Sequence, residues 1–583
     1  MKLHINRSAL LLPLAVFFLP LSIVPTFFDR NAAFNFLILS AISILLFVGI
    51  FKAQTISITP LYLFLLIALV VGTGISVLTN EGKINMLTGD TGRYTGLVSL
   101  YSLLIIAISY SQVNFKGFNS HLNWIIAAIL IVDIFGALQY LEIVKLPTGA
   151  GIGSTLGNSD FFSAWLGTSI PLFLAFAYPL KKLRIAFQIA AIIFSIIMMW
   201  VIDVKQGFVD LIILIALLIL WNFRHVLSAF NWGIKFWTAA ISFATIVWFE
   251  LIFLLPMANI KIPFFIDDIQ VRIRTHFWNA GMQMFFDHPL FGVGPDNYGN
   301  YYEKYRSLES FKLTEFVLSN DAHSSTVQTI ATLGLINFLI FMALWVLLIN
   351  AWVINIVKRP KSRNLYFAIG AYFLIFATNS MISPITLPNK FIFWALAGFV
   401  IGSAAQIQKL YIQGTKLKVL KVTSALMVTV IAFVSINFGL AQFNFIKALS
   451  DLKKDQKSVS YNYSPYLPCV IYFPAQADLA ALNSGLPRAK IADQQIKNNE
   501  RCLYAQIEVA KIAINQKDRR SSEIQINNLF EIAPARREVI SIAAIYALNT
   551  KNEKLQKQLI AQSEFLGILD ATESVLQSQQ GLK

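Results

Sequence analysis

Three short polar stretches and one long one interrupt an otherwise apolar run over about 1–440, and the residues they hold are of types that handle phosphate. The short ones are Gly89-Asp-Thr-Gly-Arg-Tyr-Thr-Gly96, Gly153-Ser-Thr-Leu-Gly-Asn-Ser-Asp160 and Asp203-Val-Lys-Gln-Gly207; the long one covers 257–325. The long stretch opens with Val271-Arg-Ile-Arg-Thr-His-Phe-Trp278, in which helical spacing puts Arg274 and Trp278 on one face. It passes through Asp287-His-Pro-Leu-Phe-Gly-Val-Gly-Pro-Asp-Asn-Tyr298, a Gly and Pro turn that stops a helix. It closes on Asn320-Asp-Ala-His-Ser-Ser-Thr326, where Asn320 or Asp321 is the expected N-cap and His323 falls in the first turn. A guanidinium grips phosphate oxygens as a two-pronged fork, and positive charge stabilises a diphosphate as its bond to a sugar breaks. A histidine near neutral pKa can take the proton of an attacking hydroxyl. Arg274, Arg272, Lys205 and Arg93 are the candidate diphosphate binders, and His323 is the candidate base.

Each candidate has a plainer alternative. Arg274 could pair with Asp267 or Asp268 at the surface, Arg272 could be a solvated neighbour, and Arg93 could simply pack its loop. His323 could be a helix-start residue bonded to a neighbour, while His288, ahead of Pro289, suits a structural place in the turn. Tyr298, Tyr301, Tyr302 and Tyr305 could stack on sugar rings or form an interfacial aromatic belt. Asp133 and Glu250 lie inside apolar stretches, where an ionisable group implies function or a buried partner. For Glu250 that partner is expected to be a loop arginine; for Asp133, a hydrogen bond in packing.

The elements that must position these residues are helices in a membrane. Of 583 residues 56% are hydrophobic and 13% charged, against roughly 25% charged in a soluble domain. About thirteen stretches are long enough to cross ~30 Å of hydrocarbon: near 9–27, 33–51, 60–79, 94–111, 122–142, 161–180, 185–203, 208–221, 236–256, 326–355, 364–383, 389–406 and 419–440. No small-residue cleavage site follows Val24-Pro25, so the first is expected to stay as a helix. The expected fold is all-α, a polytopic bundle over 1–440 with a large loop over 257–325 and a helical domain over 441–583.

A net charge of +16 would suggest nucleic acid in a soluble protein; here the positive-inside rule accounts for it, and no nucleic-acid partner is expected. Lys52, Lys116, Lys181, Lys182, Arg184, Arg224, Lys235, Lys358, Arg359, Lys361, Arg363, Lys409, Lys416, Lys418 and Lys421 fall in alternate connections. The others hold little beyond Arg30, Lys83, Arg93, Lys145, Lys205 and Lys390. That asymmetry puts the N-terminus in the cytoplasm and the polar stretches and tail outside. The tail's Asn527–Pro534 and Ala543–Leu548 resemble one tetratricopeptide-type helix pair. Its Cys469 and Cys502 could form a disulfide or stay as separate thiols, and two cysteines are too few for a zinc ribbon or iron–sulfur cluster.

Taken in order, Arg93-Tyr-x-Gly-Leu97, Gly157-Asn158, Arg274-x-x-x-Trp278, His288-Pro-Leu-Phe-Gly-Val-Gly294 and Ala322-His-Ser followed by Gln328 and Gly334-Leu-Ile336 resemble the bacterial O-antigen ligase and polymerase family, over about 60–405 and most strongly over 270–340. The resemblance implies a metal-independent transferase without cofactor in the bacterial inner membrane. It would move a glycan from undecaprenyl diphosphate, outside the cell membrane, to an acceptor hydroxyl on a lipid A core, a growing glycan or a protein. Arg274 would hold the diphosphate and His323 would activate the acceptor. Two departures stand out: Lys205-Gln-Gly207 replaces a Ser-Arg-Gly turn, keeping charge without the fork, and Ser324 replaces an Asn after the His. A lipid or polysaccharide transporter is the competing class, but such proteins place charges near the midplane and often contain internal repeats, and no repeat is visible here.

Overall fold

The structure, a computed structural model, describes residues 18–21, 32–146, 151–223, 233–258, 269–313, 319–453, 464–469, 474–478, 488–570 and 572. The expected first span therefore lies mostly outside the described residues, as do Arg30, Arg224, Asp267 and Asp268. Among those described there is no strand beyond one isolated bridge, Ile56 with Ile412. In the bundle, α1 (Ala32–Lys52), α2 (Pro60–Thr79), α3 (Lys83–Thr88), α4 (Leu97–Tyr110), α5 (Phe115–Tyr140), α6 (Ser159–Phe173), α7 (Lys181–Ile202), α8 (Lys205–Asn222) and α9 (Ile234–Met257) come first. The loop segment holds α10 (Ile269–Asp287), α11 (Tyr298–Tyr305) and α12 (Leu308–Leu313); α13 (Ser325–Lys358), α14 (Arg363–Ser380), α15 (Leu387–Ile407) and α16 (Gly414–Lys453) complete the bundle. The tail carries α17 (Arg488–Asn498), α18 (Leu503–Asn515), α19 (Arg519–Ile532), α20 (Arg537–Asn549) and α21 (Glu553–Leu566).

Helix starts follow local chemistry. Thr59 Oγ1 accepts the Tyr62 N–H ahead of Pro60 in α2, and Asn114 and Asn158 cap α5 and α6 through the N–H groups of Gly117 and Asp160. Among the described residues nine helices, rather than about thirteen, are long and apolar enough to cross a membrane. α4, α6 and α14 stand where further spans were expected, but α4 has only 14 residues, about 21 Å against the ~30 Å required. The turn that precedes α4 is itself buried, with Tyr94 at 0% and Asp90 at 4% exposure. α4 lies at the centre, against α1, α15 and α16. Its approach to α15 leaves no room for a side-chain carbon at Gly398 or Gly402, which abut the carbonyls of Ala107 and Ser111.

α13 is two helices joined at Gly334, whose φ of 73° and ψ of 179° break the ladder. The His288-Pro-Leu-Phe-Gly-Val-Gly294 turn fills the break. Val293 and Gly294 donate to the carbonyls of Ala331 and Thr332, and Leu335 and Ile336 donate to those of Pro289 and Leu290. Backbone groups freed inside a bundle must find partners, so the turn and the kink require each other. Ser76 and Asn80 of the α2 end bind the carbonyls of Phe291 and Gly292 at 2.6 and 2.9 Å.

Each tail helix packs on its neighbour in sequence; α18 to α21 do so around Ile526, Leu529, Val539 and Ala543, where Phe311 of α12 joins them, while Ile491 and Ala492 of α17 belong to the core of the bundle. α16 is continuous to Lys453, past the expected boundary at 440. Cys469 and Cys502 form a disulfide with Cα atoms 5.7 Å apart.

Candidate functional site

His323 lies two residues before the first helical residue of α13, Ser325. Ser324, not Asn320 or Asp321, is the N-cap of α13, and His323 has a left-handed backbone with φ 54°. That conformation costs a β-carbon-bearing residue on the order of 1–3 kcal/mol and persists only where surroundings enforce it. Here they do: Asp321 Oδ1 accepts the His323 N–H at 2.6 Å, Ser319 Oγ donates to the Asp321 carbonyl at 2.6 Å, and Gln328 Oε1 accepts the Ala322 N–H at 2.8 Å. The ring's Nδ1 lies 2.9 Å from the Asp321 carbonyl oxygen. A carbonyl only accepts, so Nδ1 carries the proton and the Nε2 lone pair is left to act as a base. Burial pushes the imidazole pKa down to about 4; Asp321 opposes the shift and Arg93 and Arg274 reinforce it. At neutral pH the ring is uncharged.

Both cations thus bear on His323, and each is placed by a different element. Arg274 lies one helical turn before Phe277 of α10, whose ring centroid is 5.0 Å from that of His323, and Trp278 beside it is 2% exposed. Arg93 donates from Nε to Asn320 Oδ1 at 3.3 Å and lies over the Phe161 ring at 5.1 Å; Asn320 in turn donates to the Thr91 carbonyl. Arg93 thus packs its loop and also bears on His323 through its charge. The turn around it is anchored by Asp296, whose Oδ2 accepts the N–H groups of Asp90 and Thr95 and whose Oδ1 accepts the Thr95 hydroxyl. Burial raises the Asp296 carboxyl to about 6, and burial with the Asp296 charge raises Asp90 to about 7.

The remaining expected site residues lie elsewhere. Arg272 is exposed, and its charge falls on His276, one of the causes lowering that pKa after burial. Lys205 is exposed at the start of α8; its neighbour Gln206 reaches inward, to Asn379 Oδ1 at 3.0 Å. Glu250 is exposed, because the helical step that buries Phe249 against Trp345 turns it outward, and it forms no ion pair among the described residues. Tyr298 is fully buried with its hydroxyl donated to the Phe277 carbonyl at 2.6 Å, which leaves no ring face for a sugar. Tyr302 is likewise internal, and Tyr301 packs under Arg501 of the tail at 4.1 Å. His288 packs edge-on to Tyr301, its pKa lowered chiefly by burial. Asp133 is buried and accepts from Ser195 at 3.1 Å.

Beneath His323 a cavity of about 300 Å³ runs along α13 from Ser325 to Leu348, walled by α4, α14 and α15. Its head is polar, with Asp296, Asp321, Gln328 and Lys390; its depth is apolar, with Leu103, Phe341, Trp345 and Ile401. Lys390, Asp296 and Asp321 were not singled out from the sequence as site residues. The available signal for Lys390 was its place among the few bases on the base-poor side. No group of three or more His, Cys, Asp or Glu is placed to hold a metal ion among the described residues.

A fixed neutral histidine, two arginines whose charges bear on it and a polar-headed cavity form one constellation, and much of it comes from one stretch of chain. Residues 190–342 match the O-antigen ligase family. The matched segment holds Arg274, His323, the Gly334 kink and the turn that fills it. Arg93, Lys390 and the tail lie outside it. No curated protein matches the chain. With the apolar helical bundle, the O-antigen ligase match supports a membrane glycosyltransferase-type function.

Proposed function

We propose that this chain transfers a glycan from undecaprenyl diphosphate to an acceptor hydroxyl on the outer side of the bacterial inner membrane, with its N-terminus cytoplasmic and its tail outside. The observation that carries the proposal is the fixed tautomer of His323, with Nδ1 on a backbone carbonyl and Arg93 and Arg274 nearby. His323 Nε2 takes the proton of the acceptor hydroxyl. The hydroxyl oxygen then bonds to the anomeric carbon as the bond from that carbon to the phosphate oxygen breaks, and the electron pair leaves with the diphosphate. Arg274, helped by Arg93, stabilises that charge. The proton on His323 passes to water. Arg272 and Lys205, expected to share the diphosphate, are exposed, and this step is written without them.

The same chemistry serves a lipid A core, a growing glycan or a protein Ser or Thr as acceptor. The full chain reconstituted in vesicles with a polyprenyl-diphosphate glycan and these three acceptors side by side tests the proposal. Transfer to at least one acceptor is expected. Movement of the donor across the bilayer with transfer to none would overturn the proposal in favour of a transporter.

A further inference from the structure

We propose that Lys390 is a diphosphate-binding residue that makes the site select a diphosphate over a monophosphate. This rests on the function proposed above and adds a cation that the ordered motifs do not contain. Lys390 lies in the first turn of α15 and lines the head of the cavity under His323. The charges that bear on it are Asp296, Asp321 and Arg93. Its ammonium nevertheless makes no hydrogen bond and no ion pair within 4 Å among the described residues.

The alternative role, neutralising those two acids, fits the geometry poorly. Asp296 already accepts three hydrogen bonds from the 90–95 turn, and Asp321 Oδ1 already accepts the His323 N–H. An ammonium has three protons to donate, and leaving them unmet in a largely apolar cavity is costly. Phosphate oxygens entering the cavity head would satisfy them. Arg93 flanks the same helix start from the other side, in a small cavity of about 40 Å³ shared with Thr386 and Leu387. The two bases therefore bracket the start of α15. Arg93 and Arg274 lie with the His323 ring, where the sugar-bearing phosphate must be for attack, so Lys390 falls to the lipid-bearing phosphate, with the apolar depth of the cavity below it for the chain. A polyprenyl monophosphate can reach one position or the other, but not both.

Binding of undecaprenyl diphosphate and of undecaprenyl monophosphate to the purified full chain in detergent tests this, with Lys390→Gln and Lys390→Arg beside the wild type. The wild type should prefer the diphosphate. Lys390→Gln should lose about tenfold on the diphosphate, the size expected for one charged hydrogen bond, and far less on the monophosphate; Lys390→Arg should recover most of the loss. A second measurement needs no variant: reductive methylation of wild-type lysines, read by mass spectrometry, should show Lys390 protected by the diphosphate and not by the monophosphate. Equal losses on both lipids, or no protection, would overturn the role of Lys390 alone. Failure of the wild type to bind either lipid would instead count against the proposed function.

Discussion

On the side of the 298–313 segment that meets the tail, cations have acids within reach. Arg306 Nη1 lies 3.3 Å from Glu303, Arg501 lies 3.8 Å and Lys304 3.9 Å from Glu531, and in the adjoining tail Arg536 lies 2.9 Å from Glu538. Arg501 is also 6% exposed, donates to the Asn300 carbonyl at 3.1 Å and covers the Tyr301 ring. Where Gly299 faces Asp90 and Asn320, toward the turn before α4, the charges are arranged otherwise. Lys390 has no acid within 4 Å among the described residues, Asp296 is satisfied by backbone and hydroxyl donors, and His323 is held neutral. The first side resembles a closed interface, where removing one partner strands the other. The second keeps positive charge available to an incoming anion. The loop is thus a partition between a face that holds the tail and a face to which the proposed function assigns the substrate.

That contrast can be broken experimentally. The largest effect is expected from His323→Ala, which should lower transfer by about 10²- to 10⁴-fold without lowering the melting temperature. Since burial holds the imidazole pKa at about 4, the acid limb of the wild-type rate profile should fall below pH 5 rather than near 6.5. A limb near 6.5 would remove the case for a neutral, pre-set base. Next comes the tail side. Cys502→Ser opens a link between residues 33 apart in sequence, worth about 3–4 kcal/mol by loop closure, and should speed hydrogen exchange across α18 to α20 while leaving the chemical step largely intact. A collapse of transfer matching that of His323→Ala would show that the two faces are not separable.

A smaller effect is expected of Arg274→Lys, which keeps the charge and loses the fork: about a tenfold loss of transfer. Full retention would mean that charge alone suffices. The smallest concerns the Asp90 and Asp296 pair. Both carboxyls are raised on folding, to about 7 and about 6, so their contribution to stability is present at low pH and lost as pH rises through that range. Between pH 5 and pH 8 the wild type should lose melting temperature, and Asp90→Asn should lose less. Identical slopes would mean that the pair is not charged against itself.

Much of the inner face was legible because its logic is local. The placement of Arg274, Phe277 and Trp278 along one stretch of α10 follows from helical spacing, and the turn at 288–294 announces itself in Gly and Pro. What that turn is for was not legible. Its partner carbonyls at Ala331 and Thr332 lie some forty residues on, and no periodicity connects a turn to a kink. The burial of Tyr298 and the outward turn of Glu250 were hidden for a related reason: residue type marks them as capable of chemistry, but the direction in which a helix presents them depends on what packs beside it. Lys390 was visible as a base on the wrong side of the charge asymmetry, yet only the fold shows that the start of α15 lines one cavity with Asp296 and Asp321. The N-cap of α13 moved to Ser324 because Asp321 bonds the His323 backbone in a left-handed turn, which a pattern of cap residues does not reveal.

The sequence by itself determined the membrane bundle, since apolar length and scarcity of charge leave no other way to satisfy the backbone, and it marked Arg93, Arg274 and His323 through types and local spacing. Only the tertiary structure decided which bases share a site, because that depends on three breaks in helical order meeting at one end of the bundle: the turn before α4, the kink in α13 and the start of α15. Contacts among segments this far apart are set by packing and by the pairing of stranded backbone groups, and neither is written in any single stretch of residues.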